Sequence, residues 1–205
     1  MVFENNQLLN RIFPLLILVL SFGLNLSAQN LSYALDGESS ISIEGTSTFH
    51  DWKATVGEFS GSLMLGKSFN AAKSKKMAVE KVALSFQAES IDGGRGAAMN
   101  KKIKAALKSS DHPTISFSID NSQVIKLDAK TLTVTGSLAM AGVTKEVTLS
   151  LESQANDEGL LAFVAKYPMK LSTFEIDPPS AMFGQIVTGD DITIVFDLKF
   201  SATNN

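Results

Sequence analysis

Few residues of this 205-residue chain could act as a nucleophile, a general base or a metal ligand. It has no cysteine, which excludes cysteine catalysis and thiolate metal sites. Ser47, His50 and Asp51 are the residue types of a hydrolytic triad. On an extended strand, however, His50 points away from both neighbours, because successive side chains alternate between faces. No Gly-x-Ser-x-Gly motif accompanies them. We therefore expect no catalytic residues, and we expect His50 and Trp52 to share a face and pack where strand meets turn.

The two histidines are also the obvious candidate metal ligands. His50 and His112 could combine with a carboxylate such as Asp51 or Asp111. Neither a His-x-x-x-His spacing nor a calcium-loop pattern of acidic residues is present, so no metal is expected. An enzyme remains the weaker alternative, and a carboxylate such as Asp51 or Glu175 buried beside His50 in a cleft would favour it.

The run Gly93-Gly94-Arg95-Gly96 could bind a phosphate through converging backbone amides at the start of a helix. It lacks the Gly-Lys-Ser/Thr ending of a nucleotide-binding loop. A flexible connection into the helix is therefore the preferred interpretation.

Charge is distributed unevenly along the chain. Ten cations against three acidic residues give the segment 67–108 a charge of +7, which leaves −10 for the rest of a chain of net charge −3. Such a basic face attracts anionic groups, and the predicted head-group or rim contacts are Arg95, Lys101, Lys102 and Lys104. A solvated lysine-rich surface is the alternative. Nucleic acid is not expected, because the sequence pI is about 5.4 and no aromatic residues interleave the lysines.

The hydrophobic pattern past residue 30 has a period of two. Val82, Leu84 and Phe86 alternate with more polar residues, and the segments 131–140 and 192–200 follow the same rule. This alternation predicts an all-β antiparallel protein of about eight strands, which must close into a barrel or sandwich to hide their apolar faces. One segment, with Met99, Ile103, Ala106 and Leu107 on one side, predicts an amphipathic helix of about ten residues over a barrel opening.

Eight apolar side chains are predicted to point into the barrel, and Gly61 and Gly136 should leave space beside them. The sequence alone does not distinguish a packed core from a cavity that binds a ligand. The predicted interior and apolar ligand-binding residues are Leu63, Leu65, Phe86, Phe117, Leu138, Phe163, Ile194 and Phe196.

The N-terminus is typical of an export signal. Arg11 precedes the apolar run 15–20, and small residues at Ser27 and Ala28 suggest cleavage there. We expect residues 1–28 to be a signal peptide and residues 29–205 to be one domain, periplasmic or secreted. An uncleaved anchor is the alternative.

Five segments occur in an order and spacing that resembles the YceI-like family, which consists of secreted bacterial lipocalin-like barrels associated with polyisoprenoid binding. The resemblance runs from about Leu35 to Ser201 and implies an up-and-down lipocalin-like β-barrel with one short helix. Two stretches depart from it, the lysine-rich 99–110 and the stretch 170–176 with Glu175 in place of glycine. The five segments are 45–52, 91–96, 111–117, 136–145 and 187–191.

The resemblance and the apolar interior together predict a secreted lipid-binding protein rather than an enzyme. The expected ligand is an isoprenoid quinone, a polyprenyl chain, or a fatty acid or amide; no other cofactor is expected. A filled structural barrel that acts through protein or membrane-surface contacts remains the alternative. Oligomeric state is left open.

Overall fold

The computed structural model of this chain describes residues 30–66, 76–126, 131–154 and 160–203. These residues form thirteen β-strands and one α-helix. In chain order the elements are β1 (Leu31–Leu35), β2 (Ser40–Ser47), β3 (Asp51–Val56), β4 (Phe59–Leu65), β5 (Lys76–Gln87), β6 (Ile91–Asp92), α1 (Ala97–Ala106), β7 (Thr114–Ile119), β8 (Gln123–Lys126), β9 (Thr131–Met140), β10 (Val143–Ser153), β11 (Leu161–Lys170), β12 (Ser180–Ala181) and β13 (Ile186–Ala202).

The strands form a closed barrel with eight strand positions around its wall, called here staves. Four staves consist of two strands with a break between them, namely β1–β2, β3–β4, β5–β6 and β7–β8, and β9, β10, β11 and β13 supply the others. Every pairing is antiparallel, and β13 closes the sheet by pairing with β11 on one side and with β1 and β2 on the other. The predicted eight-stranded antiparallel barrel is confirmed.

Side-chain alternation explains why these segments form the wall. Along β9, Leu132, Val134 and Leu138 are buried, whereas the intervening Thr133 and Ser137 are exposed. Each strand thus has one apolar face, and closure of the sheet hides all of these faces and leaves no free edge in the wall.

The barrel has two distinct ends. One end, called here the helix end, carries the turn between β2 and β3, the helix α1, the turn at Ala141–Gly142, and the segment 171–185. The opposite end, called the terminal end, carries the start of β1 at Leu31 and the end of β13 at Ala202.

Apolar side chains fill the helix end. The short 3-10 segment Leu171–Phe174 contacts β10, β11 and β13. Phe174 is fully buried, and Ile176 and Ile91 are each only 2% exposed. Helix α1 follows Gly96, whose φ of 82° suits glycine, and it packs Ile103 against this core. The predicted ten-residue helix is therefore confirmed, and it lies at one end of the barrel.

Side chains complete two seams where the backbone ladder is interrupted. The ladder between β7 and β9 covers only Ser116–Ser118, and beyond it the Gln123 amide exchanges hydrogen bonds with the backbone of Thr135. At the closing seam, buried Ser39 accepts a hydrogen bond from the Lys199 amide at 2.9 Å and donates one to the Lys199 carbonyl at 3.2 Å. Both side chains satisfy backbone groups that the missing strand residues would have paired.

Candidate functional site

An apolar cavity occupies the barrel interior. It offers about 80 Å³ to the centres of water-sized groups, and seventeen residues from seven of the eight staves line it. No polar atom of the lining faces this space. The lining lies in the middle of the barrel and towards the terminal end, below the filled helix end.

The size and the apolar lining of the cavity favour hydrocarbon over water. Its volume is about five to eight times the ~10–15 Å³ that one water molecule needs. A dry apolar wall gives water no hydrogen-bond partner, so the space is unsuited to ordered water and suited to hydrocarbon.

Five of the eight predicted interior residues line the cavity, namely Leu63, Phe117, Leu138, Phe163 and Phe196. The other three contribute to the packed core instead. Leu65 and Phe86 are buried, and Ile194 is partly buried against the core. That these eight residues bind a ligand stays a prediction.

Sequence reasoning missed several lining residues that the alternation already indicated. Val147, Leu149 and Leu151 share one face of β10 and line the cavity. Tyr167 also lines it, with its ring against the apolar space, and burial raises the pKa of its hydroxyl. The parity of β10 would have identified its three residues, and on β11 the parity of the predicted Phe163 would have identified Tyr167.

The two interior glycines leave room that neighbouring side chains occupy. A Cβ on Gly61 would lie 2.5 Å from Leu84 Cδ2. A Cβ on Gly136 would lie 2.6 Å from Phe117 Cζ and 2.6 Å from the Ser118 carbonyl oxygen. Leu84 and Phe117 both line the cavity, so the glycines let these side chains lie back against the wall.

The triad-like residues lie at the hairpin of β2 and β3, with Ser47 at the end of β2, His50 in the connection and Asp51 at the start of β3. The Ser47 hydroxyl donates to the His50 carbonyl at 2.8 Å, and His50 Nδ1 lies 3.0 Å from the Asp51 carbonyl. These contacts use backbone oxygens, so no nucleophile–base pair forms. His50 and Trp52 lie where strand meets turn, as predicted, but the His50 side chain is exposed and does not take part in the expected packing. Trp52 itself packs over Gly45 and donates to the Thr46 carbonyl at 2.9 Å.

The other candidates for chemistry are dispersed. His112 packs its imidazole against Gly142 in the β9–β10 turn. In the strand order this turn lies on the opposite side of the barrel from His50. Asp51 and Glu175 are exposed, so neither is a buried carboxylate beside His50. Across the described residues no group of three or more His, Cys, Asp or Glu side chains could hold a metal ion.

The glycine-rich loop directs its amides to its own neighbours. The Asp92 carboxylate accepts hydrogen bonds from the Gly94 amide at 2.9 Å and from the Asn100 side chain at 3.0 Å, and these bonds lower the pKa of Asp92. The Gly93 amide donates to the Asn100 side-chain oxygen at 2.9 Å. Two amides of this loop therefore position the start of α1 and do not converge on an open anion site.

The predicted rim cations all lie on or beside α1, at the helix end. Lys104 pairs with Glu89 at 2.6 Å, and Lys102 donates to the Ser180 carbonyl. Arg95 and Lys101 are exposed. The filled helix end lies between these cations and the cavity lining, so the structure does not bring the two predicted sets together. Three further cations of the basic segment, Lys67, Lys73 and Lys75, lie outside the described residues.

A comparison with models of protein families establishes the family of this chain. The model of the YceI-like domain matches residues 33–200. This chain belongs to the YceI-like family. The match covers every stave of the barrel from β1 to β13, so the predicted resemblance is confirmed. A search of curated proteins finds no match.

Solved structures share the fold of this YceI-like chain at low sequence identity. BcnA from Burkholderia cenocepacia is 19% identical, with a TM-score of 0.63 over 80% of this chain and 98% of that one. A polyisoprenoid binding domain from Saccharophagus degradans is 12% identical, with a TM-score of 0.60 over 84% and 99%. A YceI protein from Campylobacter jejuni is 17% identical, with a TM-score of 0.55 over 74% and 85%. These identities establish the fold.

Proposed function

We propose that this YceI-like protein binds the hydrocarbon chain of a lipid inside its barrel. The ligand classes that fit are an isoprenoid quinone, a polyprenyl chain, and a fatty acid or amide. The observation that carries the proposal is the cavity, whose lining faces the interior with apolar atoms alone.

The dry lining determines which part of the ligand is buried. A polar head group in this space would lose its hydrogen bonds to water and gain none, at a cost of roughly 2–7 kcal/mol. The head group therefore stays outside the cavity while the chain is inside. Affinity then comes from buried apolar area, at roughly 25 cal/mol per Å² before the costs of association.

Family membership supports the same class of function. The Saccharophagus degradans domain with this fold is a polyisoprenoid binding domain. This kinship favours a binding role over a catalytic one, in keeping with the dispersed histidines.

We further propose that the protein is exported. The support is the apolar run 15–20 followed by small residues at Ser27 and Ala28, which suits a signal peptide cleaved after Ala28. Among the described residues no helix is both long enough and apolar enough to span a membrane. Signal cleavage is tested by N-terminal sequencing of the protein recovered from a bacterial periplasm.

Lipid binding is tested by titrating the purified protein with a fluorescent polyene fatty acid and displacing the probe with a polyprenol or a quinone. Val147→Phe places a larger side chain in the cavity, and we expect it to weaken binding at least tenfold. Thr148→Phe, one residue along the same strand on the exposed face, is the matched control and should bind as wild type. Equal binding by both variants, or no uptake by the wild type, would refute the proposal and favour a filled barrel.

A further inference from the structure

Four exposed apolar side chains gather at the helix end, far from the cavity lining. Phe183 is 109% exposed, Phe49 69%, Met182 64% and Val187 44%. We call these four residues the tip cluster. Among the described residues only one other large apolar side chain, Val124, is comparably exposed, and it lies on β8 near the terminal end. Surface apolar residues are usually scattered singly, so this concentration requires an explanation.

Two adjacent hairpins hold the tip cluster together. Strands β12 and β13 pair Ser180 with Val187, and their connection projects Met182 and Phe183. The β2–β3 turn lies against this hairpin, because the Thr48 amide donates to the Val187 carbonyl at 3.0 Å and the Val187 amide donates to the Thr48 hydroxyl at 3.1 Å. Phe49 therefore projects beside the β12–β13 hairpin.

The backbone of the projecting hairpin is strained. Met182, Phe183 and Gly184 have φ angles of 49°, 55° and 87°. Left-handed conformations disfavour side chains with a Cβ, and two of these three residues are not glycine. The strain holds Phe183 in solvent, where it gains no packing within the chain. Strain of this kind persists where it serves a function.

Cations border the tip cluster on its other side. The Lys102 side chain donates to the Ser180 carbonyl, which places α1 against the β12–β13 hairpin. Lys101 and Arg95 are exposed on or just before the same helix. The acidic Asp51 and Asp177 also lie at this end. The positive charge is therefore local to the helix, and apolar insertion must supply most of any binding energy.

We propose that the helix end docks on a lipid bilayer, with the tip cluster inserted among the acyl chains and the α1 cations against anionic head groups. Protruding aromatic and aliphatic side chains beside basic residues are the arrangement that interfacial membrane binding requires. A protein partner fits less well, because four convex side chains by themselves expose less than the ~800 Å² per partner of a stable complex. The proposal does not depend on a ligand in the cavity.

The test is co-sedimentation of the purified protein with phosphatidylcholine vesicles, prepared with and without phosphatidylglycerol. We expect Phe49→Ser/Phe183→Ser to lower the partition coefficient at least about thirtyfold on both kinds of vesicle. Val124→Ser removes a side chain that is also 69% exposed and should leave the partition unchanged. Arg95→Gln/Lys101→Gln should lower binding about fivefold or more on the anionic vesicles alone.

Three results would overturn the docking proposal. The first is vesicle binding by Phe49→Ser/Phe183→Ser that equals that of the wild type. The second is absence of wild-type binding to either kind of vesicle. The third is a wild-type dimer that forms without vesicle binding and is abolished in Phe49→Ser/Phe183→Ser. Circular dichroism establishes that each variant is folded. Val147→Phe, which blocks the cavity, should still bind vesicles as wild type, so failure of lipid uptake and failure of docking are distinguishable.

Discussion

Replacement of Gly61 by alanine should close part of the cavity with little loss of stability. The new Cβ would lie 2.5 Å from Leu84 Cδ2, well inside the ~3.5–4.0 Å at which carbon atoms make favourable contact. The Leu84 methyl group must therefore move by about 1 Å or more. The side chain lines the cavity, so it can move into that space.

The size of each effect follows from this geometry. Overpacking of a dense core costs about 1–3 kcal/mol, and alanine recovers about 0.5–1 kcal/mol of the backbone entropy that glycine loses in a strand. Because Leu84 has empty space to enter, we expect the lower end of the cost and a net change in unfolding free energy within about 1 kcal/mol. Ligand affinity should fall about tenfold, which corresponds to about 1.4 kcal/mol.

At Gly136 an added Cβ meets a backbone atom, whereas at Gly61 its closest contact is a movable side chain. A Cβ there would meet the Ser118 carbonyl oxygen of the neighbouring strand at 2.6 Å, and this backbone atom cannot rotate away. Gly136→Ala should therefore lower the unfolding free energy by about 2–3 kcal/mol. Urea denaturation and titration with the polyene fatty acid measure both variants. Equal stabilities for the two variants, or undiminished affinity in Gly61→Ala, would refute the assignment of these glycines to the cavity wall.

Three further perturbations test the barrel. Ser39→Ala should cost about 1–3 kcal/mol in urea denaturation, because the part-buried Lys199 backbone amide loses its partner at the closing seam, although the Lys199 carbonyl keeps the Asp36 amide; an unchanged midpoint would argue against that seam. Phe196→Asp should yield no folded protein by circular dichroism, because it buries an unpaired charge in the cavity wall, and wild-type melting would show the strand assignment to be wrong. Backbone amides and hydroxyls donate to the carboxylates of Asp36 and Asp190, which lowers the pKa of both. Their contribution is complete above the unfolded pKa of about 4 and is lost as the pH falls through the folded values, so Asp36→Asn/Asp190→Asn should flatten the loss of stability as the pH falls below about 4. An equally steep profile in the double variant would contradict this account.

The wall of the barrel could be predicted from the sequence because strand alternation is a local property. Leu132, Val134 and Leu138 recur every second residue, or at an even spacing, and the structure buries all three. The helix could be predicted in the same way, since Met99, Ile103, Ala106 and Leu107 recur at spacings of three and four, and a strand does not place residues three apart on one face.

The contents of the barrel depend on contacts that are distant in sequence. Leu65 and Phe86 have the same parity as the cavity-lining Leu63 and Leu84, yet they belong to the packed core. Phe86 lies towards the filled helix end, whereas Leu65 lies at the terminal end opposite Leu31, so position along the barrel decides which inward side chains line the cavity. The tip cluster escaped prediction because a hydrophobic residue in a loop, such as Phe183, is ordinarily expected to fold back onto the core.

Whether the barrel holds a hydrocarbon chain decides between a lipid-binding protein and a filled barrel. The decisive measurement is mass spectrometry of an organic extract from the protein, purified from the periplasm of a bacterial host. We predict one isoprenoid or acyl species per protein molecule, reduced in Val147→Phe and unchanged in Thr148→Phe. An empty extract, together with no uptake of added quinone or fatty acid, would contradict the account and show that the barrel is a packed core.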